Sequence, residues 1–413
     1  MPAIQRRTLG VLSAAQIMAG MGVGVGLTLS TVVLDELSGS TVISGFARTA
    51  TAVGAALLAL PVAKVTGRAG RRAGMTLAYT AALTGCAISV AALSLRNWPL
   101  LLAGLILTAG GTTGGITARY AATDLSPQGH TARHLSLIAW TSTIGSVAGP
   151  NLAAPTDQIG RRIGLVAEAG PFAFAGLAFA LALVIILVLL RPDPFTLARQ
   201  LHGDKDSAAK RKGTINTAWQ TLRITPMARR AMVMLVLTNT AMVSIMTMTP
   251  VKLHHDGSSL NVIGFVISLH IASMYVLSPV VGWLADKVGK LPVLVLGMAL
   301  LLAAAVMVGT ADHRIWQITT ALIVLGLGWS CGTIAGSALV AESVPIDRRP
   351  DVQGLSSLLI NVCAAAGTIV SSAIVGVLSY GFLGLAVGIM ITLAALWLLT
   401  SRPGSTPEGH IQT

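Results

Sequence analysis

The stretch Gly282-Trp283-Leu284-Ala285-Asp286-Lys287-Val288-Gly289-Lys290 is a short charged segment between two long apolar ones. The apolar run 259–281 precedes it and the run 291–310 follows it. Each run is long enough for a helix that crosses a bilayer, which needs about 20 residues. The stretch therefore predicts two neighbouring membrane helices joined by a tight charged loop.

The rest of the chain repeats this alternation. Of 413 residues, 54% are apolar and 10% are charged, whereas soluble domains carry about 25% charged residues. This composition excludes a soluble enzyme, a disulfide-bonded secreted scaffold and a disordered chain. Twelve apolar runs are predicted to span the membrane: 11–34, 40–63, 74–95, 98–122, 135–156, 167–190, 231–252, 259–281, 291–310, 316–341, 354–379 and 382–400. The predicted fold class is an all-α integral membrane protein.

The two halves of the sequence resemble each other at an offset of 218 residues. Arg96-Asn97-Trp98 recurs as Arg314-Ile315-Trp316, and Asp124 recurs as Glu342. A duplicated six-helix unit explains this offset. The predicted organisation is an N-terminal half at 1–191, a linker at 192–230 and a C-terminal half with a short tail at 231–413.

The basic residues follow the predicted topology. The chain has 28 Lys and Arg against 15 Asp and Glu, a net charge of +13. With the N-terminus inside, the cytoplasmic segments hold 21 of the basic residues and the external loops hold five. This is the positive-inside asymmetry of membrane proteins. It predicts a multi-pass protein of the plasma membrane with both termini in the cytoplasm, and it accounts for the charge without a nucleic-acid partner.

The segment 282–290 resembles the G-x-L-A-D-R-x-G-R-K loop of the major facilitator superfamily, and it lies between spans 8 and 9, as in that family. The first-half copy at 63–72 keeps the glycine and the basic residues but has Gly67 in place of the aspartate. The resemblance implies twelve helices in two halves, with alternating access to a central cavity. It also implies that the loop aspartate pairs with helix ends and holds one closed state, which only Asp286 can do here. The alternative is that these charges only keep short loops from crossing the membrane. The residues of this motif are Gly282, Asp286, Lys287, Gly289, Arg68, Gly70, Arg71 and Arg72.

A second motif lies on span 5, where 145–150 resembles the G-x-x-x-G-P signature of drug:proton antiporters. Gly145 and Gly149 lie one turn apart and allow close helix approach, and Pro150 kinks a helix. The resemblance implies efflux of small lipophilic compounds, and a plain tight helix crossing is the alternative. Those antiporters also carry an arginine midway along span 4, which is missing here. No Asp or Glu lies deep in any span, and this weakens the proton-antiport interpretation.

Spans 7 and 8 carry a third candidate site. His270 and Met274 form an H-x-x-x-M pair, and Met242 and Met246 form an M-x-x-x-M pair. Met242 and His270 each lie about 15 Å from the outer end of their span. Thioether and imidazole ligands suit monovalent copper, and these motifs resemble those of CcoA-like bacterial copper importers, which are also major facilitators. His270 could also carry a proton, and apolar packing or a methionine-lined cavity is the alternative.

Other polar groups within the spans are candidates for the cavity wall. Four of them are uncharged, and they either line the cavity or form interhelical hydrogen bonds: Gln16, Asn151, Asn239 and Asn361. Arg48, about two turns into span 2, either faces water or an anion or extends outward to the membrane surface. Arg119, near the inner end of span 4, is predicted to pair with Asp124 or with lipid.

These observations predict a secondary transporter that works by alternating access. Export of small lipophilic compounds is the leading hypothesis, copper import is the second, and a membrane sensor built on a transporter scaffold is a remote third. The sequence contains no catalytic motif, and we predict that the protein is not an enzyme. The predicted partners are the lipid bilayer and a small-molecule or metal-ion substrate. We expect a monomer with no resident cofactor, and a transported copper ion or a coupling proton would be cargo.

Overall fold

A computed structural model describes residues 2–39, 43, 46–127, 129–201, 215–258, 260–312 and 314–400. Within these ranges the chain is helical and contains no strand. The helices are α1 (Pro2–Ser38), α2 (Phe46–Ser94), α3 (Trp98–Thr108), α4 (Gly110–Ala121), α5 (Thr131–Arg162), α6 (Ala169–Leu189), α7 (Pro194–Leu201), α8 (Ile215–Ile224), α9 (Pro226–His255), α10 (Leu260–Tyr275), α11 (Ser278–Val288), α12 (Lys290–Gly309), α13 (Ile315–Ser343), α14 (Arg349–Val377) and α15 (Tyr380–Thr400). A 3₁₀ helix, Ile346–Arg348, precedes α14.

Helix α2 contains two of the predicted spans. Its 49 residues would extend about 73 Å if straight, more than twice the hydrocarbon thickness of a bilayer. Gly70 interrupts it with φ +90° and ψ 175°. Gly54 and Gly85, on opposite sides of this break, both pack against the stretch 104–109. The chain therefore reverses at Gly70, and spans 2 and 3 lie side by side.

The other spans follow the predicted order. Helices α3 and α4 together form span 4, and α10 and α11 form span 8. Among the described residues, ten helical segments are long and apolar enough to cross a membrane. Since one of these is the doubled helix α2, and the 32 residues of α5 supply a further crossing, the count reaches twelve. The predicted twelve-helix membrane fold is confirmed.

Small residues set the packing of α1 against α5. A Cβ added to Gly145 would meet the Ile17 carbonyl oxygen at 2.4 Å, and one added to Gly149 would meet the Met21 carbonyl oxygen at 2.8 Å. No larger side chain fits at these distances, so the two helices cross at backbone contact. The glycines of the predicted span 5 motif have this packing role. The side chain of Pro150 lies outside the described part of the structure.

The two halves touch at one end of the bundle. We call this the basic end, the end that carries Gly70 and Gly289, and we call the opposite end the open end. At the basic end a Cβ added to Gly354 of α14 would meet the Ala63 side chain of α2 at 2.3 Å. Seven of the eight buried residues of α14 lie between Pro350 and Ser357, whereas Ile369 is 71% exposed. The space between the halves is therefore closed at the basic end and widens towards the open end.

Candidate functional site

Asp286 joins the two halves at the basic end. It lies in the last turn of α11, and its carboxylate accepts hydrogen bonds from the backbone N–H groups of Ala132 (3.1 Å) and Arg133 (2.8 Å) in the first turn of α5. N–H groups in a first turn have no partner within their own helix, and the N-terminal end of a helix attracts negative charge. Asp286 belongs to the C-terminal half and α5 to the N-terminal half. We call this contact the Asp286 latch.

An ion pair at the basic end ties a loop to a helix end within each half. Arg71 donates two hydrogen bonds to Asp124, at 2.7 and 3.0 Å, and both side chains are buried. Lys290 lies 3.0 Å from Glu342, at the corresponding positions of the second half. Of the two partners predicted for Arg119, Asp124 and lipid, Asp124 is wrong, because Arg71 occupies its carboxylate. Sequence reasoning missed this pair, although the repeat of Asp124 at Glu342 was its signal.

The first-half loop lacks a latch of its own. Gly67 occupies the position of the missing aspartate, and the nearest neighbour of an added Cβ there is Pro350 of α14 at 3.8 Å. A different acid, Asp193 of the linker, accepts the backbone N–H of Arg72 at 2.7 Å. Asp193 also accepts the backbone N–H of Phe195 at 3.0 Å, in the first turn of α7. The acid at this loop therefore comes from the linker, and it fixes the linker helix α7 to the loop.

The remaining loop residues have local roles. Gly70 and Gly289 have φ values of +90° and +109°. Residues with a side chain rarely adopt such values, so both turns require glycine. Arg68 is exposed. The Lys287 ammonium lies 4.7 Å from the centre of the Trp283 ring. Within the described residues, neither cation is bonded to the opposite half.

His270 is buried between α10 and α13. Its Nδ1 lies 2.7 Å from the Leu322 carbonyl oxygen and must donate the hydrogen, since a carbonyl only accepts. Its Nε2 has no hydrogen-bond partner within the described residues. The side chain is completely buried, and Met274 is 6% exposed. The histidine therefore lies in the packed wall of the C-terminal half.

Met242 and Met246 lie on α9, a second helix that packs on α13. Both are half-buried on α9, and Asn239 of α9 accepts a hydrogen bond from the Trp329 indole of α13 at 2.9 Å. His270 bonds to Leu322, seven residues before Trp329 on α13, and Met246 lies seven residues after Asn239 on the antiparallel α9. At about 1.5 Å per residue, the imidazole of His270 is therefore level with Met246, about one turn from the predicted match with Met242. Among the described residues, no three His, Cys, Asp or Glu side chains are grouped to hold a metal ion.

The uncharged polar residues mostly connect helices. Gln16 of α1 donates to the Ser142 hydroxyl of α5 at 2.8 Å and is buried, and Asn239 bonds to α13 as described. Asn361 donates to the Ser357 carbonyl of its own helix at 2.7 Å and is half-buried. The side chain of Asn151 lies outside the described part of the structure. Interhelical bonding is therefore the role of the two residues on α1 and α9.

Arg48 faces the space between the halves near the open end. It lies seven residues before Ala55 and eleven residues before Ala59, and residues at these spacings lie on one face of a helix. At the basic end, Ala59 of this face lies beside Gly354 of the opposite half. Arg48 itself is exposed, and no hydrogen bond or ion pair holds its side chain within the described chain.

The side chains of Glu168 and Glu36 meet at the open end of the N-terminal half. Glu168 precedes α6, and its backbone N–H donates to Asp157 at 2.6 Å. Burial, then the hydrogen bond and charge of Glu36, raise the pKa of Glu168 to about 7. Arg161 opposes this shift. This pair gives the open end a group that titrates near neutral pH.

Comparison with known proteins places this geometry in a family. The family model described as Major Facilitator Superfamily matches residues 12–262 and 252–412. The uncharacterized MFS-type transporter YdeG of Bacillus subtilis is 34% identical over 406 residues, which cover 97% of this chain and 93% of YdeG. The riboflavin transporter RfnT of Brucella anthropi is 24% identical over 355 residues, which cover 86% of this chain and 85% of RfnT.

The fold agrees with solved structures of such transporters. The human organic anion transporter MFSD10 superimposes with a TM-score of 0.78 at 16% identity, covering 95% of this chain and 99% of the MFSD10 chain. The sequence match, the twelve helices and the paired loop motifs all agree. The chain is therefore a multi-pass secondary transporter rather than an enzyme, and it belongs to the major facilitator superfamily.

Proposed function

We propose that this transporter exports small lipophilic organic compounds from the cytoplasm by alternating access. The observation that carries the proposal is the Asp286 latch, which joins the halves at the basic end while α14 separates from the N-terminal half towards the open end. A latch on one side of a cavity is what a transporter needs in order to alternate. Release of this latch would open the basic end.

The orientation follows from charge. Basic residues concentrate in the loops at the basic end, and the positive-inside rule assigns such loops to the cytoplasm. The described conformation is then outward-facing, in a plasma-membrane protein with both termini in the cytoplasm. A monomer suffices for this mechanism, because each chain contains both halves.

An organic substrate suits the wall of the cavity. The half-buried methionines of α9 supply adaptable apolar surface, and the glycine motif on α5 resembles that of drug exporters. The printed names of RfnT and MFSD10 refer to riboflavin and to organic anions, both small organic solutes. Export rather than import rests on the drug:proton antiporter resemblance of α5.

Copper import is the second candidate, and one observation favours it. Because Nδ1 of His270 carries the hydrogen, Nε2 presents a lone pair that has no hydrogen-bond partner in the described residues. Metal-binding histidines commonly have this arrangement, with the second nitrogen bonded to a carbonyl. Against copper, His270 has no exposed surface.

The two candidates differ in how they respond to Met242→Leu. The variant keeps volume and apolarity but removes the sulfur, so an organic exporter should retain its flux, whereas a copper importer should lose accumulation. Met298→Leu, in the buried core of α12, is the matched control. Cellular copper and susceptibility to a panel of lipophilic toxic compounds are measured in a deletion strain carrying each variant. Unchanged copper with retained resistance supports export, and lost copper with no resistance phenotype would overturn it.

A further inference from the structure

Arg119 faces the space between the halves. On α4, Gly114 packs on Tyr79 of α2, and Gly115 packs on Gln16 of α1. Another side of the helix, which includes Thr117, borders a small cavity shared with α2 and α14. Arg119 lies on the remaining side of α4, between the side that faces α1 and the side that faces α14. Thr112, seven residues earlier on the same sector, is exposed although its neighbours on both sides are buried.

Among the residues that the structure describes, no acidic group neutralises Arg119. Its Nε is buried without a hydrogen-bond partner, and within the described chain the guanidinium has no ion pair. Three acids at this end have other partners: Asp124 pairs with Arg71, Glu342 pairs with Lys290, and Asp286 accepts hydrogen bonds from α5. A buried guanidinium nitrogen without a protein partner is costly unless water or an anion meets it.

Arg48 is a second cation that faces the space between the halves. Since Gly54 of α2 is level with Ile106 to Ala109 of span 4, Arg48 lies roughly 25 Å from Arg119 along the helix axes. In the sequence, no Asp or Glu falls within the spans between these two levels. Charges of one sign in a low-dielectric cleft attract counter-charged solutes and repel like-charged ones.

We propose that the exported compounds are lipophilic organic anions, such as aromatic sulfonates or carboxylates, and that Arg119 binds their charge when the basic end opens. This inference rests on the proposed export function and specifies its substrate class. A cell interior at −100 mV drives a monovalent anion outward by about 50-fold, equivalent to about 2.3 kcal/mol. Export of an anion needs no coupling proton, which agrees with spans that contain no carboxylate at depth.

The test uses two permanently charged aromatic probes of similar size in proteoliposomes, radiolabelled naphthalene-2-sulfonate and radiolabelled N-methylquinolinium. Valinomycin and a potassium gradient set the membrane potential, and pH is equal on both sides. We expect an interior-positive potential of 100 mV to raise sulfonate accumulation about 50-fold over zero potential. An imposed pH gradient should change it little.

Variants then assign the charge preference. Arg119→Gln should raise the KM for the sulfonate at least tenfold, Arg119→Lys should lie between it and wild type, and Arg162→Gln, an exposed residue at the end of α5, should match wild type. Equal sulfonate kinetics in wild type and Arg119→Gln, or saturable transport of quinolinium alone, would overturn the anion assignment but leave export intact. Transport of neither probe, with correctly inserted protein, would count against the proposed function as well.

Discussion

Replacement of Asp286 by Asn should weaken the Asp286 latch, because it removes the negative charge and one of the two hydrogen bonds to α5. The carboxylate accepts two N–H bonds from the first turn of α5, and a hydrogen bond to a charged group contributes about 1.5–3 kcal/mol. Asn keeps one neutral acceptor but loses the negative charge and the second bond. The expected loss is about 1.5–3 kcal/mol of preference for the closed basic end, a shift of about 10- to 150-fold between the two states.

The shift can be measured as the accessibility of a residue in the closed interface. Ser357 of α14 lines a small cavity between the two halves, and this serine is 6% exposed. With the three native cysteines replaced, Ser357→Cys is labelled from the cytoplasmic side by a membrane-impermeant maleimide. Labelling should accelerate at least tenfold when Asp286→Asn is added. Asp312→Asn, the same charge change at an exposed position of the open end, is the control. Equal labelling rates at matched membrane abundance would refute the latch.

Three further predictions concern stability. Asp124→Asn should lower the free energy of unfolding by about 3–5 kcal/mol, because it leaves the buried Arg71 cation without its partner. Thermal unfolding in detergent measures this loss. Gly70→Ala should lower the melting temperature more than Gly289→Ala, because only at Gly70 would the added methyl group meet a carboxylate, at 2.6 Å. The pKa of Glu168 is raised to about 7 in the folded protein, so its native site binds the proton more tightly than the unfolded chain does. Stability should therefore fall as pH rises from about 4.5 to 7. Glu168→Gln should raise the melting temperature at pH 8 and not at pH 4, and an equal effect at both values would contradict this.

The sequence was sufficient to predict the spans and the family. Long apolar runs separated by charged loops permit only membrane helices, because backbone polar groups must bond internally in lipid. The resemblance of the segment 282–290 then implied where the halves would meet. The offset between Asp124 and Glu342 likewise predicted the duplicated architecture.

The sequence could not predict which way the side chains of the spans point. A helix that is apolar on every side has no pattern to orient it, so the burial of His270 against α13 and the exposure of Arg48 came only from the structure. Asp193 bonds to Arg72 of the first-half loop, and these two residues are 121 positions apart in the sequence. No local spacing signals such a contact. The pairing of Arg71 with Asp124 was missed for another reason, because the repeat of Asp124 at Glu342 marked the acid but not its basic partner.

Paired spin-label distances show whether the basic end and the open end open in alternation. One label pair, at Phe46 and Leu378, reports across the open end, and a second pair, at Arg68 and Arg348, reports across the basic end. In wild type we expect a long distance to dominate for the first pair and a short one for the second. Adding Asp286→Asn should shorten the first and lengthen the second together. Distances that stay unchanged at both ends, or that move in the same direction, would contradict alternating access through this latch.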